Sequence, residues 1–164
     1  MVDNVYLGNP NLKKANTPIE FTEDQVKEFI RCQNDPVYFA RKYVKIVSLD
    51  EGLVPFQPYD FQEKLINNFH EHRFNICKMP RQTGKSTTVV SYLLHYAVFN
   101  DSVNIGILAN KAATARELLG RLQTAYENLP KWMQQGIIAW NKGSLELENG
   151  SKILAASTSA SAVR

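Results

Sequence analysis

Gly84, Lys85 and Ser86 stand consecutively in the stretch Met79–Thr87, MPRQTGKST. A glycine, a lysine and a hydroxyl residue in that order, between a strand and a helix, close the pattern G-x-x-x-x-G-K-[ST] that cradles nucleotide phosphates. The chemistry needs a run of backbone N–H groups turned inward at a helix N-terminus, where the macrodipole also favours anions. Gln82, Thr83, Gly84, Lys85 and Ser86 supply those amides, and Gly84 lets the backbone approach the phosphates without a side-chain clash. Lys85 would set its cation on the β- and γ-phosphates, Ser86 would give its hydroxyl to Mg²⁺, and Thr87 would serve the α-phosphate. Arg81 would reach the γ-phosphate as an internal arginine finger, a device worth roughly a thousandfold in rate. The cofactors so implied are ATP and Mg²⁺. The first glycine of the pattern is missing, because Met79 stands there. The competing explanation is a plain strand-to-helix turn with an incidental Gly-Lys-Ser; the apolar elements on either side favour the cradle.

Gln57 and Gln62 lie upstream, with Tyr59 and Phe61 beside them. A glutamine amide can donate one hydrogen bond to the adenine edge and accept another. Phe61 or Tyr59 can stack on the ring. Without the loop downstream these would be ordinary surface residues of a helix. With it, Gln57, Phe61 and Gln62 become candidates for the adenine side of the same site. Arg81 and Lys85 are then the catalytic charges, and Ser86 the metal ligand.

The elements that must place these residues fall into an arm and helical preface over 1–72 and the first part of an ATPase core over 73–164. Residues 1–20 are polar, without periodicity, and read as an irregular arm. Thr22, with Gln25 three positions on, makes a capping box for a helix to about Gln33 whose apolar face is Val26, Phe29 and Ile30. Asn34-Asp35-Pro36 restarts a helix on Val37, Phe39, Ala40, Tyr43 and Val44. Leu49–Pro58 reads as a loop, and Tyr59–His70 as a third helix with Phe61, Leu65, Ile66 and Phe69 on one side.

Phe74–Lys78 (FNICK) predicts a short strand entering the loop, and Ser86–Phe99 a helix burying Val89, Val90, Leu93, Leu94 and Ala97. Val103–Ala109 predicts a second strand, apolar enough for a sheet interior. Thr114–Leu129 is an amphipathic helix on Leu118, Leu122, Ala125, Tyr126 and Leu129. Strand, helix, strand, helix with short links predicts an α/β fold, the parallel sheet of a P-loop NTPase flanked by helices, here incomplete. Ser144–Glu148 and Ser151–Ala155 flank Asn149-Gly150, a strong hairpin signal, with Glu146 and Glu148 facing solvent. The tail Ser157–Arg164 is small and polar and carries no stop signal.

The chain has 164 residues, 44% of them hydrophobic, enough for one packed core and too little for two comfortable domains. A net charge of +3 and a pI near 8.8 permit a DNA partner without demanding one. Cys32 and Cys77 fit no metal-ligand spacing and read as reduced thiols, one in a helix and one in a strand. Met1–Pro10 lacks the apolar region of a signal peptide. The longest apolar-leaning run, Val89–Phe99, is interrupted by Ser91 and His95 and too short to span a bilayer. A soluble, intracellular chain with no membrane partner is expected.

Several blocks in order, YLGNPNLKKAN, NDPVYFARKYVKI, FQPYDFQEKLI, MPRQTGKST, NIGILANKAATA, WNKGSLELENGS and SASAVR, give the chain a resemblance to the large terminase of tailed bacteriophages, the T-even type in particular. In that family the first glycine of the loop is commonly replaced and an arginine stands where Arg81 is, so Met79 counts toward the resemblance. The resemblance implies the ATPase motor that drives viral double-stranded DNA through a portal into a procapsid. It matches Lys85 to the loop lysine, Arg81 to a cis-acting arginine, and Gln57 and Gln62 to adenine-side glutamines. The partners it implies are double-stranded DNA, the portal protein, the small terminase subunit and further copies of the chain in a ring on the procapsid, in the host cytoplasm. It also implies that the acidic strand carrying the Mg²⁺-organising Asp and catalytic Glu, a coupling motif and a nuclease domain belong beyond Arg164. Residues 1–164 alone are therefore expected to bind ATP weakly and hydrolyse it poorly. Two other readings stay open: part of a nucleic-acid helicase, which also carries a glutamine ahead of its loop, and a nucleotide-responsive docking module.

Overall fold

The computed structural model describes residues 4–48 and 50–158. Val5–Tyr6 (β1) and Asn9–Lys13 (β2) pair antiparallel about Leu7 and Gly8, both left-handed. The arm expected to be irregular is thus a hairpin. Its strands are too short and polar to show a period; what orders them is distant. Leu12 is buried in the core, and Gln134 accepts from the Lys13 amide (3.0 Å) while donating to the Asn11 carbonyl (2.9 Å).

Helix α1 (Glu23–Asn34) opens on the expected capping box, with Thr22 Oγ1 accepting from the Gln25 amide and Gln25 Oε1 from the Thr22 amide. Asp35 caps α2 (Pro36–Tyr43) through the Tyr38 amide at 2.8 Å. The Glu28 carboxylate joins the two helices, accepting from the Tyr38 and Tyr43 hydroxyls and pairing with Lys42 at 2.7 Å. The apolar face expected on α1 is only partly covered: Cys32 is buried and Phe29 packs on the core, whereas Val26 and Ile30 stay exposed. The expected loop from Leu49 to Pro58 instead contributes a strand, since Lys45–Ser48 (β3) pairs antiparallel with Gly52–Pro55 (β4); Leu49 lies outside the described residues. Helix α3 (Asp60–Glu71) follows.

The second part contains α4 (Lys85–Phe99), β5 (Asn104–Ala109), α5 (Ala112–Glu127), β6 (Ile137–Trp140), β7 (Ser144–Leu147) and β8 (Lys152–Ser157). The four strands form one sheet in the order β5-β8-β7-β6. From β5 the chain crosses over through α5 to the far edge at β6, then returns by two antiparallel steps until β8 lies parallel to β5. The parallel sheet expected from the strand–helix alternation is therefore reduced to one parallel pair in a mixed, mostly antiparallel sheet.

The FNICK segment is no strand. Phe74 is 83% and Ile76 fully exposed, and no described strand pairs with it. An extended apolar run becomes a strand only when a neighbour satisfies its backbone, and the described sheet ends at β5. Cys77 accordingly sits outside any strand, and both cysteines are free thiols.

The hairpin at Asn149-Gly150 forms as expected, with Gly150 left-handed. Glu146 and Glu148 are not simply solvent-facing, because Glu146 pairs with Lys152 and Glu148 with the buried Lys13 at 3.1 Å. Burial alone would raise the Glu148 carboxyl. The Gly136 and Asn16 amides and the Lys13 ammonium outweigh it and hold the group below its ordinary value. Ser157 closes β8, and residues 159–164 of the tail, like Met1–Asp3 of the arm, lie outside the described residues.

One apolar core runs from Leu12, Phe39 and Ile66 to Leu94, Leu119, Tyr126 and Ile153. Helix α4 lies at its centre, against α2, α3 and α5, so it buries Thr88, Ser91, His95 and Val98 beside the apolar stripe legible in the sequence. Among the described residues no helix is long and apolar enough to cross a membrane.

The C-terminus of α4 is saturated. Asn100 Nδ2 donates to the Tyr96 carbonyl, Asn149 Nδ2 to Ala97, Gln135 Nε2 to Val98, Gln33 Nε2 to Phe99, and Ser151 Oγ to Asn100. Carbonyls that a helix end ordinarily leaves to water are thus satisfied by side chains. Asn149 does most, since it also accepts from the Ser151 amide at 3.1 Å. Asn149→Ala is expected to destabilise the fold by about 2 kcal/mol, read as a lower denaturation midpoint in urea with an unchanged slope.

His95 adds a pH dependence. Its Nε2 donates to the Cys32 carbonyl at 2.9 Å, while Nδ1 is buried without a partner among Phe39, Phe99 and Tyr92 rings. Burial disfavours the imidazolium and lowers the ring from 6.5 to about 4. The unfolded chain then binds a proton the folded chain refuses, so stability is full above the unfolded value and is lost as pH falls from about 6.5 toward 4. Denaturant titrations across that interval should show the loss, and His95→Gln should flatten it.

Candidate functional site

The stretch from Met79 to Gly84 links the exposed segment 73–78 to α4. Two left-handed residues shape it, Gln82 (φ 62) and Gly84 (φ 70). Thr83 sits between them and donates its hydroxyl to the Pro80 carbonyl at 3.0 Å. Gly84 occupies the N-cap of α4, and no side chain caps that end. The first helical bond runs from the Thr88 amide to the Gly84 carbonyl at 2.9 Å. The amides of Lys85, Ser86 and Thr87 precede it, so by helix geometry they have no intrahelical acceptor.

No acid neutralises this end. Lys78, Arg81 and Lys85 are exposed, and among the described residues none of them is in a salt bridge. The bare amides stand at the positive pole of a fifteen-residue helix, an end whose dipole favours anions. Ser86 and Thr87 are half-buried in the first turn. Among the described residues there is no group of three or more His, Cys, Asp or Glu side chains that could hold a metal ion.

The candidate adenine-side residues are treated unequally. Gln62 is 4% exposed and packs directly under the loop. Its Nε2 donates to the Thr83 carbonyl at 3.1 Å and its Oε1 accepts from the Tyr59 amide at 2.9 Å. A Cβ on Gly84 would lie 2.4 Å from that Nε2, so glycine is required there by contact as well as by φ. Gln57 is exposed in the link between β4 and α3, and no hydrogen bond ties its amide to the loop. Phe61 stacks on Tyr59, ring centroids 5.8 Å apart and planes 11° apart. Its free side lines a cleft of about 300 Å³ with Lys64, Lys78 and Met79. The structure therefore brings Gln62 to the loop, sets Phe61 at a cleft beside it, and leaves Gln57 and Arg81 at the surface.

What the residue pattern does not reveal is the set that anchors the far end of α4: Gln33, Gln135, Asn149 and Ser151. Only Asn149 carried a local signal, as half of a turn dipeptide; the others act across long sequence separations.

A helix start with amides that lack an intrahelical acceptor follows a loop with left-handed Gln82 and Gly84, in a mixed α/β chain. Residues 76–164 match the family described as terminase large subunit, T4likevirus-type, N-terminal. The match takes in the loop, α4, α5 and the whole four-stranded sheet, more than half of the sequence, and the chain belongs to that family. Membership favours the terminase reading over a helicase or a free-standing docking module.

Gly84→Ala tests the geometry of the loop without reference to any ligand. A left-handed alanine costs about 1–2 kcal/mol, and the contact with Gln62 adds to it. The variant should unfold at lower denaturant concentration than the wild type, and Gln62→Ala should cost less stability in that background than in the wild type, because it relieves the contact.

Proposed function

We propose that this chain is the nucleotide-binding part of a viral DNA-packaging motor, taking ATP with Mg²⁺ at the start of α4. The observation that supports this most directly is the bare N-terminus of α4, with Lys85 and Arg81 exposed and unpaired beside it, in a chain of the terminase family. The parallel pair β5/β8, with α5 packed on it, is consistent with this reading.

The residues fit the triphosphate well. Gly84 leaves room for close approach on the side away from Gln62, the amides of Lys85, Ser86 and Thr87 are available donors, and Lys85 supplies a mobile cation. For the metal Ser86 would offer one neutral oxygen, and among the described residues no group of three or more His, Cys, Asp or Glu side chains adds to it; the phosphates themselves and water would complete such a shell. ATP when bound supplies a γ-phosphoryl group for transfer to water. Toward that step Lys85 would offset charge on the β- and γ-phosphates, and exposed Arg81 would add its charge at the γ-phosphate. Gln57 and Phe61 serve the adenine, with Phe61 presenting its free face in the cleft shared with Met79. The motor acts on double-stranded DNA, with the portal protein, the small terminase subunit and further copies of the chain as partners on the procapsid in the host cytoplasm. The preface offers these proteins a groove of about 400 Å³, where Phe21, Val26 and Ile30 lie exposed beside Trp132.

Isothermal titration of Mg·ATP decides the binding claim. Wild-type chain should bind, Lys85→Ala should lose a hundredfold or more in affinity, at least about 3 kcal/mol, and Ser86→Ala should matter only when Mg²⁺ is present. Arg81→Ala should leave binding within a few-fold and lower turnover in the assembled motor by about a thousandfold. Equal affinity of wild type and Lys85→Ala would sink the assignment.

A further inference from the structure

We infer that the carboxyl end of the four-stranded sheet receives the phosphate backbone of double-stranded DNA, with Lys142, Lys111 and Arg116 as its contacts. This placement builds on the reading above that the chain acts on DNA, and adds where on the fold the duplex lies.

Topology brings the three residues to one end. Strands β5 and β8 run parallel and finish together, the Thr158 amide donating to the Ala109 carbonyl at 2.9 Å. Lys111 follows the end of β5 and opens α5, and Arg116 lies in the early turns of that helix. Strand β6 also runs parallel to β8, two antiparallel steps away. The β6–β7 turn that carries Lys142 therefore emerges at the same end, where the Ala155 amide donates to the Gly143 carbonyl at 2.9 Å. Helix α4 finishes at the opposite end, against Asn149 and Ser151. Its start thus faces the carboxyl end, and Thr87 there lines one cavity with Glu117 and Arg121 of α5.

Charge divides between the two ends. No acid occurs from Arg73 to Asn100. Beyond them, Asp101 stands ahead of β5, Glu127 closes α5, Glu146 lies opposite the first residue of β8, and Glu148 follows β7, all toward the amino end. Glu117 remains, and it pairs with Arg121 at 2.7 Å. Lys111, Arg116 and Lys142 are exposed, and among the described residues none of them is in a salt bridge. Scattered surface lysines serve solubility; cations gathered at one end while the acids lie at the other make a field that draws a polyanion.

Lys142 is also presented from a fixed base. Asn141 Oδ1 accepts from the Gly143 and Ser144 amides at 2.9 and 2.8 Å, and its Nδ2 donates to Ser144 Oγ at 2.8 Å. The Asn141 carbonyl takes Gln123 Nε2 of α5 at 2.9 Å. The turn holds itself and is tied to α5, and the Lys142 cation plays no part in either. Two to three strand spacings separate this turn from the end of β5, about 10–15 Å. That is close to the roughly 12 Å width of the major groove, so phosphates on its two sides can each meet a cation.

Anisotropy of a labelled mixed-sequence duplex, titrated with the complete chain over a range of salt, tests the placement. Lys142→Ala should lower the slope of log affinity against log salt by about 0.9 and weaken binding about eightfold near ~0.1 M salt, the release of one counterion. Lys111→Ala and Arg116→Ala should do the same, by one factor whatever the sequence of the duplex. Lys142→Arg should restore slope and affinity, which separates charge from folding. Lys152→Ala removes an equal charge from the amino end of β8 and should leave the slope unchanged. A slope that ignores Lys142→Ala, or that falls as far with Lys152→Ala, overturns the placement, and so does wild-type protein that holds no duplex at low salt. The Mg·ATP titration stands apart from these outcomes: a chain that binds nucleotide through Lys85 while its duplex affinity ignores Lys142 keeps the nucleotide reading and loses this surface.

Discussion

The last carbonyls of α4 accept hydrogen bonds from Gln33, Gln135, Asn149 and Ser151, while the first amides of the same helix have nothing to donate to. A helix treated in this way is fixed at one end and reactive at the other. Its centre is gripped by α2, α3 and α5, so an anion drawn to the N-terminus meets a dipole that cannot turn away. The arms that do the gripping come from α1, from the approach to β6 and from the β7–β8 turn. Much of the chain is therefore organised to hold one helix along its axis.

Energetically the arrangement sets unlike costs against each other. Five satisfied carbonyls and a packed core stabilise the fold, and a left-handed Gln82, a buried His95 with an unmet nitrogen and three unpaired cations work against it. The unfavourable features concentrate around α4 and its loop, the usual location of strain in a protein that must receive something. His95 differs in being buried within α4 itself, where it closes the gap to α1 through the Cys32 carbonyl.

Features written locally were legible in the residues. The Thr22–Gln25 box, the helix restart at Asn34-Asp35-Pro36, the Asn149-Gly150 turn and the helices α1 to α5 all follow from spacing and local chemistry. So does the junction at Gly84, where glycine, lysine and serine meet the start of a helix. What escaped were features made by distant partners. The β1–β2 hairpin depends on Gln134, the Glu148 ion pair on Lys13, and the covered side of α1 on Phe99. FNICK went astray for the converse reason: its pattern is that of a strand, yet no described strand offers it a ladder. At the site, the sequence could mark Gln62 as near the loop but could not show that both ends of its amide are already engaged.

The bare stretch from Phe74 to Lys78 also bears on how the protein behaves when concentrated. An apolar segment outside every described strand, with a wholly exposed Ile76, lies near α4 and β5, across a groove of about 660 Å³. Such a segment is a template for any complementary strand, and crowding supplies other copies first. Lys78 and Arg73 flank it with like charge, and that repulsion is what keeps one molecule from zipping onto the next. Salt that screens these two cations would weaken that guard and favour clumping through this segment.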